Sequence, residues 1–247
     1  MTGSSRVDPQ RRESQSGKVT SQKERKRQAE KLTRHAIAKH GELKGRKARP
    51  PLNQLILSVF YHLTSVRRAT RALRQLKRGF VDWNEIRVSH PVEVSEALSS
   101  ADWARIGSER VLWLLRELNQ VYHCTDLDFL AELTPQQARI CLKGLPTVSR
   151  HMADEVLLLS LDVPVLPAPA EVVRLCHRFG ILADDRPTLE NQRILEKLFD
   201  PQYYASLHLF FCDYAGKVCL PEEPSCKECA LVKDCPSAKQ HRAKAGS

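Results

Sequence analysis

Apolar residues recur along this chain at steps of three and four. Leu52, Leu55, Ile56, Val59, Phe60 and Leu63 fall on one side of a 3.6-residue repeat, which marks an amphipathic helix. Val111, Leu114, Leu115, Leu118 and Val121 form a second such face, and Val172, Leu175, Cys176 and Phe179 a third. Thr134-Pro135 reads as a helix start, with proline at the first helical position where no N–H is needed. The run Val156-Leu157-Leu158-Leu159 is apolar on every side, so its helix belongs at the centre of a core. No segment alternates at period two. The pattern predicts an all-α fold without internal repeats.

Composition narrows the picture. The chain has 247 residues, 42% of them hydrophobic and 28% charged, as in an ordinary globular protein with one large or two small domains. No stretch nears eighteen uninterrupted apolar residues, so no membrane span is expected. Charge is distributed unevenly. Residues 1–50 hold 15 of the 39 Lys+Arg and 5 of the 29 Asp+Glu, leaving 24 of each sign for the remainder. The whole net charge of +10 therefore sits in the first fifty residues. Residues 1–48 are polar enough to be read as a basic, mostly disordered arm suited to nucleic-acid phosphates. A charged helix is possible from about Lys23 to Ala38, with Leu32, Ala36 and Ile37 as a thin apolar stripe.

Four cysteines near the C-terminus add chemistry. Cys219, Cys226, Cys229 and Cys235 follow the spacing C-x6-C-x2-C-x5-C. Four soft thiolates in so short a stretch can enclose zinc or an iron–sulfur cluster. A zinc knuckle normally shows two tight C-x2-C pairs, and only Cys226 and Cys229 form one here. Paired disulfides are the third reading, which the lack of an apolar signal segment at the start disfavours. Cys124, Cys141, Cys176 and Cys212 each stand alone in apolar or helical sequence and read as buried, reduced thiols. The cysteine usage implies a reducing compartment, which fits a cytoplasmic location, and with the basic arm a DNA-associated protein is expected.

The segment 142–153, Leu-Lys-Gly-Leu-Pro-Thr-Val-Ser-Arg-His-Met-Ala, joins a helix to the long apolar one. A short turn there presents backbone N–H groups at a helix start, a geometry that favours phosphate. This turn and the cysteine spacing resemble the endonuclease III family of the helix–hairpin–helix DNA glycosylase superfamily. Gly216-Lys217-Val218-Cys219 is similar to that family's entry into its cluster loop, and residues 80–87 (Phe-Val-Asp-Trp-Asn-Glu-Ile-Arg) to a stretch of plant 5-methylcytosine glycosylases. The resemblance covers about residues 51–237. It implies two helical lobes flanking a DNA cleft: a six-helix barrel with the hairpin over 51–163, and a lobe over 164–237 that also takes the N-terminal helix, about 25–48. Residues 238–247 would be a tail. It further implies a [4Fe–4S] cluster on Cys219, Cys226, Cys229 and Cys235, mainly structural, and a monomer that binds double-stranded DNA. The implied DNA contacts are Gly144, Thr147, Ser149, Arg150 and His62, the last where relatives insert a glutamine into the duplex.

The same alignment exposes departures. The family's catalytic lysine, which attacks the sugar C1′ and forms a Schiff base, falls on His151, and its partner aspartate, eighteen residues later, on Pro169. Arg174, matching a family arginine five residues after the aspartate, gives the same register. An imidazole makes no stable iminium, and proline offers no carboxylate. Of the nearby carboxylates Asp154, Asp162 and Glu171, the last lies two residues past the expected position, about 200° around a helix, and is expected to point away. Thr147 and Ser149 replace hairpin glycines, and Glu222 and Glu223 replace basic residues of the cluster loop. A DNA-binding cluster protein that has lost the usual chemistry is the leading expectation. A glycosylase or AP lyase using other residues, and a partner-binding scaffold with a structural cluster, are the alternatives.

Overall fold

The computed structural model describes residues 21–43, 48–98 and 102–238, and these are all-helical. The helices are α1 (Gln22–His40), α2 (Pro51–Tyr61), α3 (Val66–Gly79), α4 (Trp83–Val88), α5 (Pro91–Ala97), α6 (Ala104–Tyr122), α7 (Pro135–Lys143), α8 (Arg150–Ser160), α9 (Ala170–Arg178), α10 (Leu189–Leu198) and α11 (Tyr204–Tyr214). Half of the basic arm, residues 1–20 and 44–47, lies outside the described residues, as does the tail from 239 onward.

Local chemistry explains where helices begin. Ser65 and Ser149 accept N–H bonds from the first turns of α3 and α8. Thr134 and Gln137 form a reciprocal capping box ahead of Pro135, at the predicted start of α7. α1 stops at His40 because Gly41 takes φ 73, a conformation that costs glycine nothing, and its N–H closes on the Ile37 carbonyl.

α2 is the hub. Every one of its residues is buried, and it packs against α8, α3 and α6. Gly107 on α6 permits this closeness, since a Cβ there would stand 2.9 Å from the Trp103 ring, which itself lies against Phe60. The predicted Val156 run lies in α8, with Val156 and Leu157 fully buried. On α6, Val121 departs from the predicted face and is 44% exposed. The other lobe joins distant parts of the chain. α1 packs along α11 and touches α10, burying Ala29, Leu32 and Ala36. The region from Phe80 to Arg87 forms a capped turn into α4, and Trp83 donates its indole N–H to Asn53 of α2.

Candidate functional site

Cys219, Cys226, Cys229 and Cys235 line one cavity in the C-terminal segment, with apolar walls from Leu175, Phe179, Val218, Leu231 and Val232. All eight cysteines of the chain are free thiols, which removes the disulfide reading. Only Cys176 among the four solitary cysteines is fully buried; Cys124, Cys141 and Cys212 are half-buried. α9 supports the cavity from behind. Arg174 donates to the carbonyls of Ala215 and Cys219 at 2.9 and 3.0 Å, and Arg178 Nη1 lies 3.5 Å from Cys219 Sγ. Burial pushes the Cys235 thiol up to about 11 and raises that of Cys229. Thiols in such surroundings ionise when a metal supplies the compensating charge.

The hairpin between α7 and α8 holds the predicted DNA contacts, and several are already engaged. Thr147 donates both its N–H (3.0 Å) and its hydroxyl (2.6 Å) to Glu117 Oε2 on α6. An internal carboxylate thus occupies the two donors expected to meet a phosphate. Ser149 caps α8 through Met152 N–H, and Arg150 donates to Gln192 of α10. Gly144 is exposed and lies at the end of α7.

A second cavity, of about 120 Å³, opens between α2, α8, α9 and α11. His62 and Pro169 share its wall with Tyr61, Glu155, Glu171, His208, Cys212 and Lys217. Glu171 does not turn away, as its spacing predicts. α9 begins only at Ala170, so Glu171 lies in the first turn, and its Oε1 is 3.5 Å from His62 Nδ1. That bond holds the Glu171 carboxyl below its ordinary value and raises the His62 imidazole. His151 is not on this wall; its Nδ1 is buried without a partner, and burial, followed by the charge of Arg150, lowers its pKa. Asp154 is committed elsewhere, accepting from Arg139 (3.0 Å) and Gln192 (3.2 Å), and Asp162 is exposed in a loop with φ 53.

Deeper in the cavity stand groups the sequence does not announce. Glu155 of α8 is 1% exposed and burial pushes its carboxyl up to about 7. His208 of α11 is 2% exposed, with burial pulling its imidazole down to about 3. Lys217 donates to the carbonyls of Tyr61 and Cys212, and burial lowers its ammonium pKa. Beyond the cavity mouth, α3 follows His62 closely and carries Arg67, Arg68, Arg71, Arg74, Lys77 and Arg78, all exposed, with no acidic residue. The net neutrality of the chain after residue 50 conceals this basic face.

A helix–hairpin–helix junction, a cleft between helical lobes and a four-cysteine cavity define the class of helix–hairpin–helix folds. No protein-family model matches the chain. The endonuclease III of Thermotoga maritima is 25% identical over 189 residues, covering 76% of this chain and 84% of that protein. The DNA glycosylase/AP lyase ROS1 of Arabidopsis thaliana is 24% identical over 172 residues, 63% of this chain but only 12% of that longer one. A solved non-covalent endonuclease III–DNA complex aligns with a TM-score of 0.60 at 20% identity, over 88% of this chain and 98% of that one. The chain is similar in sequence to endonuclease III over most of its length and shares the all-helical fold of the solved endonuclease III complex.

Proposed function

We propose that this protein binds duplex DNA, holds a [4Fe–4S] cluster on Cys219, Cys226, Cys229 and Cys235, and lacks the lysine–aspartate chemistry of its relatives, acting in base excision repair or damage sensing. The observation that carries the reading is at the catalytic positions. His151 stands where the lysine is expected and buried Pro169 where the aspartate is expected, while Glu171, two residues past Pro169, is committed to His62. The four thiols fit the cluster by donor type and by sharing one apolar cavity, with Arg178 set against Cys219 to offset negative charge. Bound there, the cluster would cross-link four points of the C-terminal segment. The exposed arginines of α3 offer the phosphate-binding surface beside the cleft.

Lys217 favours a second reading. A lysine whose pKa is lowered by burial, on the same cavity wall as Pro169 and Glu171, has the character of a nucleophilic amine. Borohydride trapping on duplex DNA with an abasic site separates the two. The proposal expects tight binding without a covalent adduct. An adduct in the parent that disappears in Lys217→Gln would establish a relocated lyase instead.

A further inference from the structure

Three ligating side chains converge at the inner end of the cleft. His208 and Cys212 are one turn apart on α11, with Nε2 and Sγ separated by 3.4 Å. Glu155 reaches them from α8, its Oε1 3.7 Å from His208 Nε2. The ligand atoms of all three lie within 4.8 Å of one another. A tetrahedral zinc with ordinary Zn–N, Zn–O and Zn–S bonds separates its ligand atoms by about 3.5 Å, close to both measured edges. The three donors are an imidazole, a carboxylate and a thiol, a set that suits a borderline-soft divalent ion.

Burial makes the arrangement hard to explain as packing alone. Glu155 Oε2 and His208 Nδ1 are enclosed without hydrogen-bond partners. His62 Nε2 stands 4.0 Å from Glu155 Oε1, which leaves Oε2 enclosed without a partner among the described residues, and a cation beside it would lower the cost of the buried charge. One carboxylate and one thiolate neutralise a divalent ion. Lys217 and Glu171, on the same wall, add one charge of each sign. The cavity has room for several waters on its open side, so a three-ligand ion there would keep a fourth position for solvent or ligand.

We propose that Glu155, His208 and Cys212 bind a zinc ion at the inner end of the cleft, separate from the four-cysteine cavity. Binding displaces the Cys212 proton to solvent and forms the Zn–S bond. The site stands on the cleft geometry and does not depend on the DNA-binding reading.

The test uses the full chain purified without air, dialysed against zinc, freed of loose metal by a weak chelator, and assayed for zinc and iron. One zinc per chain should remain in the parent. Cys212→Ser and Glu155→Gln should lose it with iron unchanged. Added zinc should raise the melting temperature of the parent and leave that of either variant unmoved, which separates lost binding from lost folding. A folded parent that retains no zinc overturns the proposal. Zinc retained equally in Cys212→Ser, or lost only in Cys226→Ser, also overturns it by placing the ion in the four-cysteine cavity.

Discussion

Glu117 is the residue whose removal should speak most directly. Its carboxylate accepts two hydrogen bonds from Thr147 and places a negative charge where a phosphate oxygen would otherwise approach the hairpin. Glu117→Gln removes that charge with little change of shape. Affinity for duplex DNA should rise several-fold, and the salt dependence should steepen by about one phosphate contact, a slope change near 0.9. A titration at two salt concentrations checks both, and unchanged affinity would show that DNA does not meet this turn. The contrast with the cysteines shows what a sequence can disclose about single residues. Cys219 to Cys235 lie within one short segment, so their convergence was legible from spacing. Glu155 and Glu117 were not, because each meets its partners only through the packing of helices far apart in the chain. The His208-x3-Cys212 spacing was the one available signal for the inner cluster, and the apolar residues around it masked it.

Among the elements, α3 combines a buried stripe of Ala69, Ala72, Leu73 and Leu76 with an exposed face of arginine and lysine. Arg68 is paired with Asp102 at 3.1 Å, whereas Arg71 and Arg74 lie about one and nearly two turns further along the helix. Arg71→Glu with Arg74→Glu should weaken duplex binding by at least tenfold at low salt and flatten its salt slope, while thermal stability changes little. Fluorescence anisotropy beside a melting curve makes the distinction. Helix identity was well legible at this scale: the faces of α2, α6 and α9 and the start of α7 follow from periodicity and capping. The basic face of α3 is hidden in the sequence because charge summed over a long stretch cancels it. The start of α9 at Ala170 decides where Glu171 points, and helix starts without a side-chain cap, as here at Pro169, leave little trace in a sequence.

Across the whole molecule, Asp213 ties three helices together. Its carboxylate caps α3 through the Val66 N–H at 3.0 Å and receives Lys39 and His40 of α1 at 3.2 and 3.3 Å. Burial alone would push this carboxyl up. The bonds from His40, Val66 and Lys39 outweigh it and pull it down to about 2. A depressed carboxyl stabilises the fold above its unfolded value near 3.8, and that contribution is lost as pH falls from there toward 2. Asp213→Asn should therefore cost about 2 kcal/mol at neutral pH, progressively less below pH 4, and little at pH 2. Urea midpoints at the two pH values measure the difference, and an equal loss at both would contradict the ion-pair account.

The seat of α1 also sets an order of events during synthesis. Its apolar stripe has its main partner in α11, and its Lys31 and His35 reach Asp234, next to Cys235, at 2.9 and 3.5 Å. Between the end of α1 and the end of α11 the ribosome must add 174 residues, roughly 10–35 s of elongation. Throughout that interval α1 lacks its main partner, while α2 to α8 can already assemble around their own core. The lobe that carries the four cysteines must then form last, by the joining of the two ends of the chain. The proposed cluster could be assembled there only after translation has passed Cys235.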